Sequence, residues 1–383
     1  MNLPKRILLR FKLSIIIALA FLFILNLFLY KSVASQNPPT IALKELGQID
    51  TGGDAFDIQV VDTLAYVIDM RYDGLKIINV SDPSNPTLIG QFRDGGVPHE
   101  LFVDEARDLV LIGDMWDGFE IINVSNPLQP TKAGSFDDGG EPEWFDANGN
   151  IAYVGDWQEG LEILNLTDPS NPTEISQLDL RDILAVQVYQ NYVYLGLPES
   201  LKIINVTDPN APNEVNEVDV NGTIRDMEVF NDLCFMACEK NEFQIYNVSN
   251  PLNPVFLALI SETGFGMDLV VNGDLVWVAG WVNGLAVFNV SDPTNPVKVG
   301  NYYDDSGATK GVYVKDNLIY VADSDDGLEI LEIDNESSHL STTESSHDTS
   351  AESSESTHVS NYNFLFSYVS LFMILFINKS RKS

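Results

Sequence analysis

The sequence predicts an all-β protein: a seven-bladed propeller of four-stranded antiparallel blades, with apolar helical segments at the two chain ends. Three observations predict it. One segment recurs seven times at a near-constant period. Each full period holds four short runs of Val, Ile, Leu, Tyr and Phe bounded by Gly, Asp, Asn or Pro, the signature of short strands. No window keeps the i, i+3, i+4, i+7 spacing of an amphipathic helix for two turns. Proline in every turn also opposes a helical solenoid of similar period.

The composition bounds the function. The chain has 383 residues, with 21 Lys+Arg against 56 Asp+Glu and a formal charge of −35. Hydrophobic residues make up 45% and charged ones 20%, a globular balance. Such acidity repels phosphate backbones, so nucleic acid is excluded as a partner. Two cysteines and four histidines leave little material for a thiol or imidazole metal site.

At the chain start, residues 1–40 hold five basic residues (Lys5, Arg6, Arg10, Lys12, Lys31) and no acid. An apolar run at 13–30 follows the first four, and Ser32-Val33-Ala34-Ser35 suits cleavage after Ala34 or Ser35. Residues 1–35 therefore read as a secretory signal peptide. The run is 18 residues long, nearly enough to span a bilayer, so an uncleaved signal anchor is the alternative.

The repeat occupies the middle. GLKIINVSDPSNP begins at Gly74, GFEIINVSNPLQP at Gly118, GLEILNLTDPSNP at Gly160 and SLKIINVTDPNAP at Ser200. EFQIYNVSNPLNP begins at Glu242, GLAVFNVSDPTNP at Gly284 and a truncated GLEILEIDN at Gly327. Successive starts differ by 40 to 44 residues. Four strands, A to D in chain order, within ~40–45 residues is the arithmetic of a propeller blade. The last copy lacks strand D. The segment IALKELGQID at Ile41 matches D segments such as PTLIGQFRD, so it completes the seventh blade and closes the ring. Residues 41–333 form this one domain.

The repeated Leu-x-Ile-x-Asn-Val followed by Ser/Thr-Asp-Pro resembles the LVIVD repeat family, and the resemblance covers all seven units. It implies a β-propeller on a secreted or surface-anchored prokaryotic protein, and no particular activity.

The chain then changes character. Residues 334–360 contain fourteen Ser/Thr, six acids and no Lys or Arg, a solvated stalk. Three histidines there, His339, His347 and His358, read as stalk residues. Residues 361–383 hold an apolar stretch at 364–377 followed by Lys379, Arg381 and Lys382. That tail reads as a membrane anchor with its basic end cytoplasmic, or as a sorting signal exchanged for another anchor. The cell membrane is thus an expected partner through this segment, with the propeller displayed outside at the cell surface.

Blade order sorts the loops onto two ends of the ring. The C–D turns carry Asn79, Asn123, Asn165, Asn205, Asn247 and Asn289, each in an Asn-x-Ser/Thr sequon, with Asn221 and Asn335 outside that register. These are glycosylation candidates in an exported chain. Asx and Ser/Thr turns that stop a strand explain their repetition better.

The B–C and D–A loops share the other end, and there the blades differ. Acidic hairpins in blades 7, 1, 2 and 3 predict a crescent of carboxylates: Asp69, Asp73, Asp114, Asp117, Asp156, Glu159, Asp323 and Asp326. Tyr72, Trp116 and Trp157 share these hairpins, Trp281 sits in blade 6 and Trp144 follows a D–A loop. Tryptophan in a tight hairpin either lodges against the next blade or offers a stacking face for sugars or cations. Asp323, Asp325 and Asp326 begin like a calcium loop, so Ca2+ is the one cofactor considered, against the commoner Asp-Gly type I turn.

Catalytic candidates are sparse: His99 with Glu100 near the channel mouth, and the further acids Glu143 and Asp226. Paired carboxylates there suit glycoside hydrolysis only at a fixed separation. Cys234 and Cys238 lie four apart on one strand, too far for a mutual disulfide, and read as core residues. Three functions follow. The leading one is a surface binding or adhesion module taking a glycan, divalent cation or protein through the acidic loops. The others are an extracellular hydrolase or lyase with acids at the channel mouth, and a structural spacer in a surface layer.

Overall fold

The computed structural model describes residues 40–334 apart from 71–73, 94, 241, 262 and 304–306. The segments expected as signal peptide (1–35), stalk (after Asp334) and C-terminal anchor (361–383) lie outside the described residues, as do Tyr72, Asp73 and Asn335. Every element among the described residues is a β-strand, and none is a helix long and apolar enough to cross a membrane.

The first unit shows why these sequences form blades. Its strands are Asp54–Val61, Leu64–Met70, Gly74–Asn79 and Thr87–Phe92, hydrogen-bonded in that order and all antiparallel. The two middle strands are covered on both faces, so they read as continuous apolar runs: Ala65, Val67, Ile68, Leu75, Ile77 and Ile78 are all fully buried. The outermost strand is largely exposed, and the innermost carries polar side chains toward the ring axis.

The strands form six sheets among the described residues: five of four strands and one of six. Seven separate blades is therefore corrected to six sheets. The difference lies in the units that begin at Ser200 and Glu242. There Tyr192–Asn205 and Asn213–Phe230 run unbroken for 14 and 18 residues, tying strands of both units into one sheet. The cause is turn chemistry. In four hairpins an Asp and a Gly with positive φ mark the break (Asp69/Gly74, Asp114/Gly118, Asp156/Gly160 and Asp323/Gly327); here Leu197 and Ser200 replace them, and Glu199 takes a positive φ of 59°.

The ring closes through its start. Ala42–Ile49 pairs antiparallel with Gly327–Asp334, Leu43 opposite Ile333 and Ile49 opposite Leu328. The core lies between neighbouring sheets. Ala55, Ile58, Val60 and Val67 of the first sheet pack against Tyr320, Ala322, Leu328 and Ile330 of the last. Each such aliphatic or aromatic side chain contributes about 1.5–3 kcal/mol by leaving water. Cys234 and Cys238 are free, buried thiols within the core.

At the C–D end the repeated asparagines close Asx turns. Asn79 Oδ1 accepts the Ser81 N–H at 2.9 Å, and Asn123, Asn165, Asn205, Asn247 and Asn289 do the same for the residue two positions on. This local bond ends the strand before the proline turn.

Candidate functional site at the hairpin end of the ring

The channel is lined by polar side chains that stitch one inner strand to the next. Asp57 Oδ2 accepts the Leu101 N–H at 2.8 Å, Gln59 Oε1 that of Val103 at 2.9 Å, and Glu100 that of Phe145. Asp146 accepts from Val188 at 2.8 Å, Gln187 from Val229 at 3.4 Å and Asp226 from Leu269 at 2.8 Å. Glu228 accepts from Val271 and Asp268 from Val312, both at 2.6 Å. Each bond satisfies a backbone donor that the inner edge of a sheet otherwise exposes. Together these side chains line a cavity of about 300 Å3.

The price of this lining is charge crowding. Burial raises the carboxyls of Asp57 and Asp146 to about 6 and that of Glu228 to about 7, and the Asp226 charge adds to each. Glu100 is held well above the usual carboxylate range by burial and then by Asp57. Burial likewise lifts Asp226 and Asp268, and Asp268 rises further because Asp226 and Asp57 lie beside it.

At the hairpin end, five inner strands carry a β-bulge near their first residues, at Phe56, His99, Glu143, Arg225 and Lys310. A bulge re-aims one side chain out of the alternating pattern. Phe56, His99, Trp144, Met267 and Lys310 surround a small pocket whose floor is Asp57, Glu100, Asp226 and Asp268. Phe56 meets His99 edge-on at 5.4 Å between ring centroids, and Trp144 lies 6.2 Å from Phe56 and 6.1 Å from His99. Lys310 Nζ stands 5.3 Å from the Phe56 ring centre and 2.6 Å from Asp54 Oδ1.

Three of the sequence candidates for catalysis, His99, Glu100 and Asp226, line this one mouth, with Glu143 next to its Trp144, but not as a catalytic pair. His99 is buried in the aromatic cluster, and its Nδ1 has no hydrogen-bond partner. Burial lowers it to about 4, so it is neutral at physiological pH. Glu100 turns into the channel and binds the Phe145 N–H instead. Glu143 is raised to about 7, first by burial and then by Glu141, with Arg225 opposing.

The expected carboxylate crescent is corrected in part. Asp69, Asp114, Asp156 and Asp323 are only 0–2% exposed. They face inward as turn caps. Asp114 Oδ1 accepts the N–H groups of Val97, Trp116 and Asp117, and Asp156 Oδ1 those of Gln158 and Glu159. Asp69 accepts from Thr51 Oγ1 at 2.8 Å and Asp323 from Thr309 Oγ1 at 3.0 Å. Each cap fixes its hairpin to the D–A loop beside it. Of the remaining members, Glu159 is exposed and Asp117 and Asp326 are half-buried. Asp325 is exposed, and among the described residues no three His, Cys, Asp or Glu side chains gather in metal-binding geometry.

What the caps hold outward is aromatic. Trp116, Trp157 and Trp281 are 57%, 42% and 41% exposed at three hairpin tips, whereas Trp277, within a strand, is 1% exposed. The tips are tied down through backbone bonds: Trp157 N–H donates to Glu141 O at 3.2 Å, and Trp281 exchanges bonds with Thr309 of the next sheet at 3.0 and 3.2 Å.

Sequence reasoning missed Asp57, Asp146, Asp268, Glu228 and the two glutamines of the channel. Their signal was a polar residue recurring inside otherwise apolar inner strands such as DAFDIQVV and PHELFVD.

Comparison with known proteins agrees with this architecture. A family model described as the LVIVD repeat matches residues 52–94, 108–138, 146–179, 181–220, 263–304 and 306–345, leaving out the unit that contains Glu242. No curated protein matches. Among solved structures, the crystal structure of the computationally designed Ika8 protein is similar at a TM-score of 0.55 and 10% identity, covering 73% of this chain and 83% of that one, a likeness of fold alone. A propeller of such repeats suits a binding or structural module. With the repeat matched over more than half its length and four-stranded blades around a channel, the chain belongs to the LVIVD repeat family.

Proposed function

We propose that the protein is a binding module displayed outside the cell, contacting a surface glycan or protein through the hairpin end of its ring. The observation that carries this is the set of three exposed tryptophans at one ring end, Trp116 and Trp157 on Asp-capped hairpins and Trp281 on a hairpin bonded to Thr309 of the next sheet. Aromatic faces stack on the apolar faces of sugars, and neighbouring Asp117 and Glu159 supply hydroxyl acceptors. Rigid tips reduce the ordering cost of binding. The signal segment, stalk and C-terminal anchor belong to this reading: they export the ring and tether it to the membrane, and glycans on the C–D asparagines would leave the hairpin end uncovered. Screening the full chain on a glycan array and against surface extracts tests it. Trp116→Ala with Trp157→Ala abolishes retention of the hits under this reading; unchanged retention refutes it.

One observation favours a second reading, an extracellular hydrolase or lyase: Glu143, raised to about 7 at the channel mouth, suits general acid–base work. Glu143→Gln then removes any turnover found, and an unaffected rate removes this site.

A further inference from the structure

A single slot recurs in four sheets, holding Asp with Lys in the first and Asp with Glu in the second, third and last. The slot lies between the Asp of strand B that pairs with the first residue of strand C and the third residue of strand C. In the first sheet these are Asp69 and Lys76, and Lys76 Nζ lies 3.4 Å from Asp69 Oδ2 with both side chains buried. Strand register is the same in the third sheet: Val154 faces Glu162 and Asp156 faces Gly160, as Val67 faces Lys76 and Asp69 faces Gly74. Glu162 therefore occupies the place of the Lys76 side chain. The slot that was neutral in the first sheet holds two carboxylates in the third.

Among the described residues no basic side chain compensates; burial and then a hydrogen bond with Asp138 raise the Glu162 carboxyl to about 9, so the free chain offsets the crowding with a proton. In the second sheet Glu120 also replaces the lysine, but Lys132 of strand D forms an ion pair with it. The residue of the third sheet at that register is Glu174, opposite Leu164 as Lys132 is opposite Ile122. Among the described residues no Lys or Arg forms an ion pair with Asp156 or Glu162. Both are buried, at 1% and 2% exposure, and Asp156 Oδ2 and Glu162 Oε1 have no hydrogen-bond partner. Asp156 Oδ2 corresponds to the very oxygen that faces Lys76 in the first sheet. Gly140 seals that side, since a Cβ there would lie 2.0 Å from Asp156 Oδ2. Buried carboxylate oxygens left without a partner are costly and need a counter-charge.

We propose that the third sheet binds a divalent cation of the calcium class between Asp156 and Glu162, in the slot that Lys76 fills covalently in the first sheet. A dication displaces the proton from Glu162 and matches the two carboxylates that result, and the donors are hard oxygens. Asp138 of the exposed D–A loop hydrogen-bonds Glu162, and carbonyls of that loop with water would complete the shell around the two carboxylates. Binding ties the D–A loop to the B–C hairpin and so fixes the tip that carries Trp157. The inference does not depend on what Trp157 contacts.

The test is a count of calcium bound per full chain after dialysis, by elemental analysis, for the wild type, Glu162→Lys and Glu162→Gln. Glu162→Lys installs the solution of the first sheet. It is expected to bind one calcium fewer than the wild type, and to melt several degrees higher than the wild type when both are in chelator. Glu162→Gln, nearly unchanged in shape, is expected to weaken the same calcium at least tenfold and serves alone if the lysine variant fails to fold. Equal calcium counts in the wild type and the variant that folds, or no calcium on the wild type, overturn the proposal.

Discussion

Replacing Glu228 by glutamine should stabilise the propeller above neutral pH and have little effect in acid. Glu228 Oε2 accepts the Val271 N–H of the neighbouring inner strand at 2.6 Å. At the corresponding points Gln59 and Gln187 accept the N–H groups of Val103 and Val229, so the amide is already a working solution in this ring. The carboxyl is raised from 4.5 to about 7, by burial and then by the charges of Asp226 and Asp146. A raised carboxyl means that the folded chain holds a proton the unfolded chain has released. That contribution is fully present below the unfolded value and is lost as pH rises through about 7. The full shift corresponds to about 3 kcal/mol as an upper bound. Glu228 is half-buried and faces the channel cavity, so screening by solvent reduces the expected gain to about 1–2 kcal/mol. In a domain of this size that is roughly 2–4 °C in Tm. Thermal melts of wild type and Glu228→Gln at pH 8 and pH 4 (about one unit either side of the titration window) measure it. The variant should melt higher at pH 8 and equally at pH 4. A variant that melts lower at pH 8, or gains as much at pH 4, refutes the argument.

Three further outcomes follow from the same geometry. Asp114→Ala leaves the N–H groups of Val97, Trp116 and Asp117 without their acceptor and should cost about 2–4 kcal/mol, read by denaturant unfolding, while Asp117→Ala should cost under about 0.5 kcal/mol. Lys76→Met strands Asp69 in the core and should destabilise by about 3–5 kcal/mol, whereas the double change with Asp69→Leu should recover most of that loss. Removing residues 41–49 deletes the strand that pairs with Gly327–Asp334, and the truncated chain should expose that edge and associate, as seen by light scattering.

The repeat made the blade legible because its apolar runs, turn residues and period all point to one structure. It did not show where blades merge, since that depends on a few residues, Leu197 to Ser200 and Asp219 to Thr223, where pairing continues through the turn although Glu199 and Gly222 take positive φ. The hairpin acids were visible but misplaced. Asp114 and Asp156 look solvent-facing as sequence, yet an Asp before a tight turn captures the N–H groups of that turn, and the D–A loop then covers it. Asp57, Asp146, Asp268 and Glu228 escaped notice because one polar residue per inner strand is a faint signal beside the Asn-x-Ser/Thr turns. The bulges at Phe56 and His99 shift side chains by one register, which alternation alone does not reveal.

Hydroxyl-radical footprinting of the full chain, free and bound to a hit from the glycan or surface-extract screen, tests the central claim most directly. Trp116, Trp157 and Trp281 at the hairpin end should be protected on binding. Leu128 and Leu252, 63% and 61% exposed in turns at the opposite end, should react as before. Protection of Leu128 and Leu252 with unchanged tryptophans would contradict the account.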